Sequence, residues 1–128
     1  MSNDRLVGTT VVHRRYVPHN HAHYAGNLVD GAYSLAAFGD VATELCIRTD
    51  GDEGLFASYS DVQFKAPVRG GDCIEIEAEI IRAGTRSREL RFEVRIVARG
   101  NPQRGDSAAD VLDPPIIATT AQGVVVAP

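Results

Sequence analysis

Three carboxylates interrupt one long apolar run of this chain, residues 27–47, and they are where chemistry is most readily imagined: Asp30 near its start, then Asp40 and Glu44. Four residues apart on a helix, Asp40 and Glu44 share a face and sit close enough to interact. In an apolar setting their proton affinities are driven apart, which leaves one to act as acid or base and the other as an anion. Just upstream, His19, His21 and His23 follow an i, i+2, i+4 spacing that suits one face of a strand, with no acid or Cys beside them. They read as a polar loop and not as metal ligands. A loop His next to an acidic helix is nonetheless a candidate for proton transfer or substrate contact, and His23 is nearest. Gly26 and Gly31 bracket the helix start, where the backbone can approach something bulky. There Asp30 either caps the free N–H groups or leaves them to point at a ligand oxygen.

The element that positions these groups is the run itself. It holds no Pro, and its apolar residues fall on nearly every side of a helical projection, which predicts a buried helix. Twenty residues at about 1.5 Å each span roughly 30 Å, the width of a small domain. With 128 residues the chain is expected to form one domain, 1–128. A net charge of -4, without a run of Lys or Arg, argues against nucleic acid as a partner. Lys65 is the single lysine, so the positive charge is almost all arginine. Cys46 and Cys73 lack CxxC or metal-ligand spacing and read as reduced, buried thiols. The N-terminus shows no signal-peptide pattern, and the acids and glycines of the helix argue against a membrane span. A soluble cytoplasmic protein is expected.

Around the helix the sequence reads as strands. Residues 7–16 form the first, and 55–59 and 61–65 are two short candidates. The alternation of residues 73–81 puts Ile74, Ile76, Ala78 and Ile80 on a buried face and Glu75, Glu77 and Glu79 on a wet one. Residues 90–98 alternate likewise, their outward Arg91 and Arg95 able to pair across the hairpin with that Glu row. A polar connection over 99–115 and a last strand over 116–126 with a Gly kink complete the chain. The expected architecture is α+β: one hotdog fold, a long central helix wrapped by a curved antiparallel sheet of about five strands, the last four in a meander.

Specific stretches then carry a resemblance. The run Asp61-Val-Gln-Phe-Lys-Ala-Pro-Val-Arg-Gly-Gly-Asp72 resembles the hotdog superfamily of acyl-CoA thioesterases and hydratases. Beyond it, His23-Tyr-Ala-Gly-Asn-Leu-Val-Asp-Gly-Ala32, Phe38-Gly-Asp-Val-Ala-Thr-Glu-Leu45, Asp50-Gly-Asp-Glu-Gly-Leu-Phe56 and Asp106-Ser-Ala-Ala-Asp-Val-Leu112 are similar to the 3-aminobutyryl-CoA ammonia lyases of bacterial lysine fermentation, with the β-alanyl-CoA ammonia lyases as near relatives. The resemblance implies reversible loss of ammonia from a 3-aminoacyl-CoA, here 3-aminobutyryl-CoA giving crotonyl-CoA. It implies no cofactor beyond the coenzyme A of the substrate. It also implies homo-oligomers, a dimer or a trimer of dimers, with active sites between subunits.

For that reaction Glu44 or Asp40 is expected to move the proton while the other holds the substrate ammonium. Backbone N–H groups near Asp30 and Gly31 would polarise the thioester carbonyl. His23 or Asn27 would orient the substrate, and Tyr24 joins Asn27, Asp30 and Gly31 in lining its site. Arg86 and Arg88, beside a turn at Gly84, are candidates for the coenzyme A phosphates, set against a cross-strand ion-pair role. Structural readings stand beside these: Asp40 or Glu44 paired with a partner subunit's Arg, Asp30 as a cap alone, Asp61 at an edge or turn. The alternatives in function are a hotdog acyl-CoA thioesterase and a non-catalytic acyl-CoA binding protein. Many thioesterases of the fold carry an acid where this chain has Phe38, and hydratases pair a loop His with an acid where it has Ala37. Both absences count against those chemistries.

Overall fold

The computed structural model of the chain describes residues 3–128. Strand β1 (Thr10–Tyr16) leads through a single 3-10 turn (His19–His21) to helix α1 (Gly31–Asp50), followed by β2 (Leu55–Phe64), β3 (Cys73–Ala83), β4 (Ser87–Gly100) and β5 (Ala109–Val126). The five strands form one antiparallel sheet in the order β1-β3-β4-β5-β2. Thus β3, β4 and β5 form a meander as expected. Strand β2 does not join it in sequence order but crosses to the far edge beside β5.

Helix α1 is buried along one stripe and not all round, which corrects the sequence reading. Ser34, Ala37, Phe38, Val41, Ala42, Leu45 and Cys46 recur at three- and four-residue intervals and face the sheet. Burying each of the larger ones contributes about 1.5–3 kcal/mol. On the opposite side Ala32, Ala36 and Ile47 remain exposed. Apolarity on that face therefore does not mean burial within one chain. Gly51, with φ 67°, ends the helix in the left-handed conformation, its N–H bonded to the Ile47 carbonyl.

The core lies between this stripe and the concave face of the sheet, where Ile74, Ile76, Ala78 and Ile80 of β3 meet Leu90, Phe92, Val94 and Ile96 of β4, all buried as their alternation required. On the convex face Arg91 pairs across the hairpin with Glu79 at 2.8 Å and Arg95 with Glu75 at 3.5 Å and Glu77 at 3.3 Å, as the register predicts, while Arg95 also reaches Glu93 of its own strand at 2.8 Å. Phe38, Phe56, Tyr59 and Phe92 stack in the middle of the core. Gly123 makes room for them, since a Cβ there would lie 2.8 Å from Phe56 and 3.0 Å from Phe92.

Three boundaries differ from the sequence reading. The first strand begins at Thr10, after a 3-10 turn at Asp4–Leu6. The two candidates at 55–65 are one strand, bent at Asp61 with φ 49°. The long polar connection shrinks to residues 101–108. Strand β5 begins at Ala109, and between Ile96 and Ala98 of β4 its partners jump from Ile116 to Val111. Residues 112–115, with both prolines, thus fall in a bulge where no ladder donor is required. Among the described residues no helix is long and apolar enough to cross a membrane.

Candidate active site

The start of α1 opens into a cleft of about 410 Å³. Asp30 holds the N-cap position, but its side chain makes no capping hydrogen bond, so the first-turn N–H groups have no side-chain acceptor. Of the two sequence readings for Asp30, the capping one is corrected. Its carboxylate turns instead toward His23, 3.8 Å away. The cleft floor is a buried hydroxyl pair, Ser34 to Thr119 at 3.0 Å, and one wall is the Phe64 ring. Gly31 admits that ring, since a Cβ would meet it at 2.8 Å. Free N–H groups at a helix start favour an oxygen bearing partial negative charge.

Of the residues expected to bind substrate, Asp30 and Gly31 line this cleft, His23 stands beside it against Asp30, and Asn27 lines the neighbouring groove at Arg69. The rings of His23 and Tyr24 pack at 4.6 Å and both are exposed. Asn27, with φ 62°, gives its side-chain N–H to the Gly70 carbonyl at 2.8 Å and accepts the Gly70 N–H at 3.1 Å. It clasps the 67–71 loop to the helix approach. The three loop histidines point apart: His19 packs edge-on to Tyr16, His21 bonds the Tyr33 hydroxyl at 2.9 Å, and His23 faces Asp30. Among the described residues no group of three or more His, Cys, Asp or Glu is arranged to hold a metal.

Asp40 and Glu44 do share a face, but that face is not buried within one chain, a second correction. Asp40 is 68% exposed with one long contact to Arg15 at 3.4 Å. Glu44 is 37% exposed, hydrogen-bonded by Arg48 at 2.7 Å and His13 at 2.8 Å. These bonds, Arg48's first and His13's second, hold the Glu44 carboxyl below its ordinary range. The acids are thus separated in role by their partners and not by burial. At about 1.5 Å per residue they also lie roughly 13–20 Å along the axis from the helix start.

The two arginines expected at the coenzyme A phosphates lie at the other end of the helix from this cleft, beside Asp50, Asp52 and Glu53. Arg88 is buried, 3% exposed, and bonded to Asp50 at 2.7 Å and to the carbonyls of Gly84 and Ser87. It is an internal tie at the far end of α1, and its Nε finds no acceptor among the described residues. Arg86 is exposed but shares its cleft with Asp52 and Glu53, whose charges oppose a phosphate. Burial and pairing take Arg88 out of phosphate binding, while the acids beside Arg86 only disfavour it there.

The Asp50–Arg88 tie has a measurable consequence. Burial alone would raise the Asp50 pKa, but the bonds from Arg88 and Thr49 outweigh it and leave it below the ordinary 3.8. A carboxylate depressed on folding adds stability that is complete above its unfolded pKa and lost as pH falls through the folded one. Protonated Asp50 then resembles Asn. Melting curves of wild type and Asp50→Asn should therefore lie far apart at neutral pH and converge below about pH 4. A constant gap down to about pH 2 would contradict this.

Several partners of these groups escaped the sequence reading. His13 and Arg15 were absorbed into β1, although residues two apart on a strand share a face and that face looks onto α1. Arg15 also lies 5.4 Å over the Tyr33 ring. Thr119 could be found only from pairing, because it reaches Ser34 from 85 residues away.

A sheet wrapped on one helix, with a cleft at the helix start and acids along its flank, defines a hotdog-fold domain. Residues 26–101 match the family model described as the thioesterase superfamily. The chain is 53% identical over 107 residues to the 3-aminobutyryl-CoA ammonia lyase of Acetoanaerobium sticklandii, spanning 84% of this chain and 85% of that one. The structure of the β-alanyl-CoA:ammonia lyase from Clostridium propionicum superposes with TM-score 0.87 at 41% identity, covering 94% of this chain and 85% of that one. A hexameric hotdog-fold thioesterase of Campylobacter jejuni shares the fold alone, with TM-score 0.73 at 19% identity over 91% of this chain and 80% of that one. The chain belongs to the thioesterase superfamily and, within it, to the 3-aminobutyryl-CoA ammonia lyase family.

Proposed function

We propose that the chain is a lyase that reversibly eliminates ammonia from a 3-aminoacyl-CoA, with 3-aminobutyryl-CoA and crotonyl-CoA as the reaction pair. The observation that carries this reading is the extended identity to the A. sticklandii ammonia lyase. In the elimination a carboxylate takes the proton from Cα, and the C–H electron pair becomes the new double bond. The Cβ–N bond breaks and ammonia leaves with that bond's pair. No electron is gained or lost, and the thioester carbonyl that takes up the developing charge comes with the substrate, so the proposed reaction invokes no prosthetic group; coenzyme A enters as part of the substrate.

The first-turn N–H groups by Asp30 and Gly31 are suited to the thioester oxygen, which gains charge as the α-proton leaves. Asp40, with one long contact, is the freer acid and takes the proton-transfer role; Glu44 stays an anion. His23, beside Asp30 and packed on Tyr24, is suited to orient the substrate, with Asn27 in the neighbouring groove. Roughly 13 Å separates Asp40 from the helix start, too far to act on neighbouring carbons of one thioester. A second copy laid over the exposed α1 face brings its own acids to the first chain's entrance. The unpaired edge of β2, with Leu55 and Phe64 exposed, continues that surface, and a homodimer or a trimer of dimers is the assembly we propose. Free thiols at Cys46 and Cys73 fit a cytoplasmic setting.

Purified protein incubated with crotonyl-CoA and ammonium is expected to consume the enoyl-thioester absorbance without releasing thiol. Thiol release would make the chain a thioesterase, and an unchanged solution would leave it a binding protein; either overturns the lyase.

A further inference from the structure

We propose that the groove around Arg69 receives the phosphorylated nucleotide end of the substrate's coenzyme A, with Arg69 as its anion contact. This rests on the acyl-CoA reading above and supplies what the loss of Arg86 and Arg88 left open. Three observations converge on the groove, about 580 Å³ in volume.

The first is charge. Apart from Arg69 and Arg82, every arginine guanidinium of the described residues has an acceptor within the chain, and Arg69 is the one of the two that lines this groove. Its side chain is exposed, while its backbone is fixed by an N–H bond to the buried Asp72 carboxylate at 2.8 Å. An unengaged guanidinium on an anchored backbone is suited to bidentate contact with phosphate. The neighbouring Arg99 neutralises Asp72, so that carboxylate does not oppose an incoming anion. Asp106 also lines the groove and is exposed, on the 101–108 hairpin.

The second is shape. Gly70 and Gly71 line the wall beside Arg69 without side chains, and the exposed Tyr16 ring supplies a flat face for a base. The third is continuity. Arg69 pairs with Leu28, and Val68, its neighbour, bonds Val29 at 3.0 Å on the wall of the helix-start cleft. One ligand can therefore run from the nucleotide groove across the 67–71 loop to the thioester site.

The test compares Arg69→Ala with wild type on two thioesters, crotonyl-CoA and crotonyl-pantetheine, the second lacking the nucleotide. The variant is expected to lose about tenfold to hundredfold in kcat/KM for crotonyl-CoA, mostly through KM, and to match wild type on crotonyl-pantetheine. Arg69→Lys should recover part of the loss. Equal effects on both thioesters, or no effect on either, overturn the assignment. Calorimetric titration with adenosine 3′,5′-bisphosphate needs no turnover. Wild type binding at least about tenfold more tightly than Arg69→Ala supports the site even if no ammonia is added. Equal affinities, or no binding by wild type, refute it whatever the catalytic result.

Discussion

Asp40→Asn is expected to slow ammonia addition to crotonyl-CoA by about 10²–10⁴-fold, the range for losing a positioned acid-base group, while the melting temperature barely moves. The two halves of that expectation come from the same geometry. Asp40 is 68% exposed and its contact with Arg15 is 3.4 Å long, so the fold draws little from it; exposed pairs of this kind contribute about 0–1 kcal/mol. A carboxylate that the fold does not use, on the helix face left open in one chain, is free for the substrate once a second copy covers that face. Asn keeps the shape and loses the base. If the proton transfer is made in the transition state, kcat and kcat/KM fall together and KM stays near its wild-type value. Glu44→Gln should cost less, because Arg48 and His13 already hold Glu44 as an anion. Wild-type turnover by Asp40→Asn would remove Asp40 from the mechanism, and a large drop in melting temperature would make its role structural.

The fold was largely legible because its strands carry the signal locally. The alternation of Ile74 to Ile80 against Glu75 to Glu79 names both the buried face and the partner strand's charges, and the register confirms it. The helix was legible in place and length but not in environment. Ala32, Ala36 and Ile47 look like core to any reading of composition, yet they face outward, because apolar residues on the surface of one chain have the same chemistry as those of its interior. The misplacement of Asp40 and Glu44 in an apolar setting follows from that one ambiguity. Arg88 shows the converse. Nothing near it in the sequence distinguishes a buried arginine from an exposed one; only the approach of Asp50, 38 residues earlier, does so. Local pattern thus pointed to His23 to Gly31, which are neighbours in the chain and of which Asp30 and Gly31 line the cleft. It could not find Ser34 with Thr119 or His13 with Glu44, which meet only through the sheet.

Asp72→Ala is expected to cost about 3–5 kcal/mol, the range for breaking one partner of a buried ion pair, and in a domain stable by about 5–15 kcal/mol that is a large share. Asp72 is fully buried, and each of its oxygens is used: Oδ1 accepts Arg99 Nε at 2.9 Å, and Oδ2 accepts Arg99 Nη2 at 2.9 Å and the Arg69 N–H at 2.8 Å. Arg99 in turn reaches the Pro67 carbonyl at 2.9 Å. Removing the carboxylate strands a guanidinium that is only 17% exposed and loosens the 67–71 loop at Pro67 and Arg69. A fall in melting temperature of about 10–20 °C follows, with Asp72→Asn intermediate because it still accepts one bond. A shift under about 2 °C would contradict the prediction. Stability alone, however, does not require ions here, since well-packed apolar residues often replace a buried pair without loss. The double variant Asp72→Leu/Arg99→Met should thus regain part of the melting temperature. It should not regain affinity for adenosine 3′,5′-bisphosphate, because no apolar pair can hold the Arg69 N–H and the Pro67 carbonyl in place. The carboxylate's use is to fix the loop on which Arg69 stands.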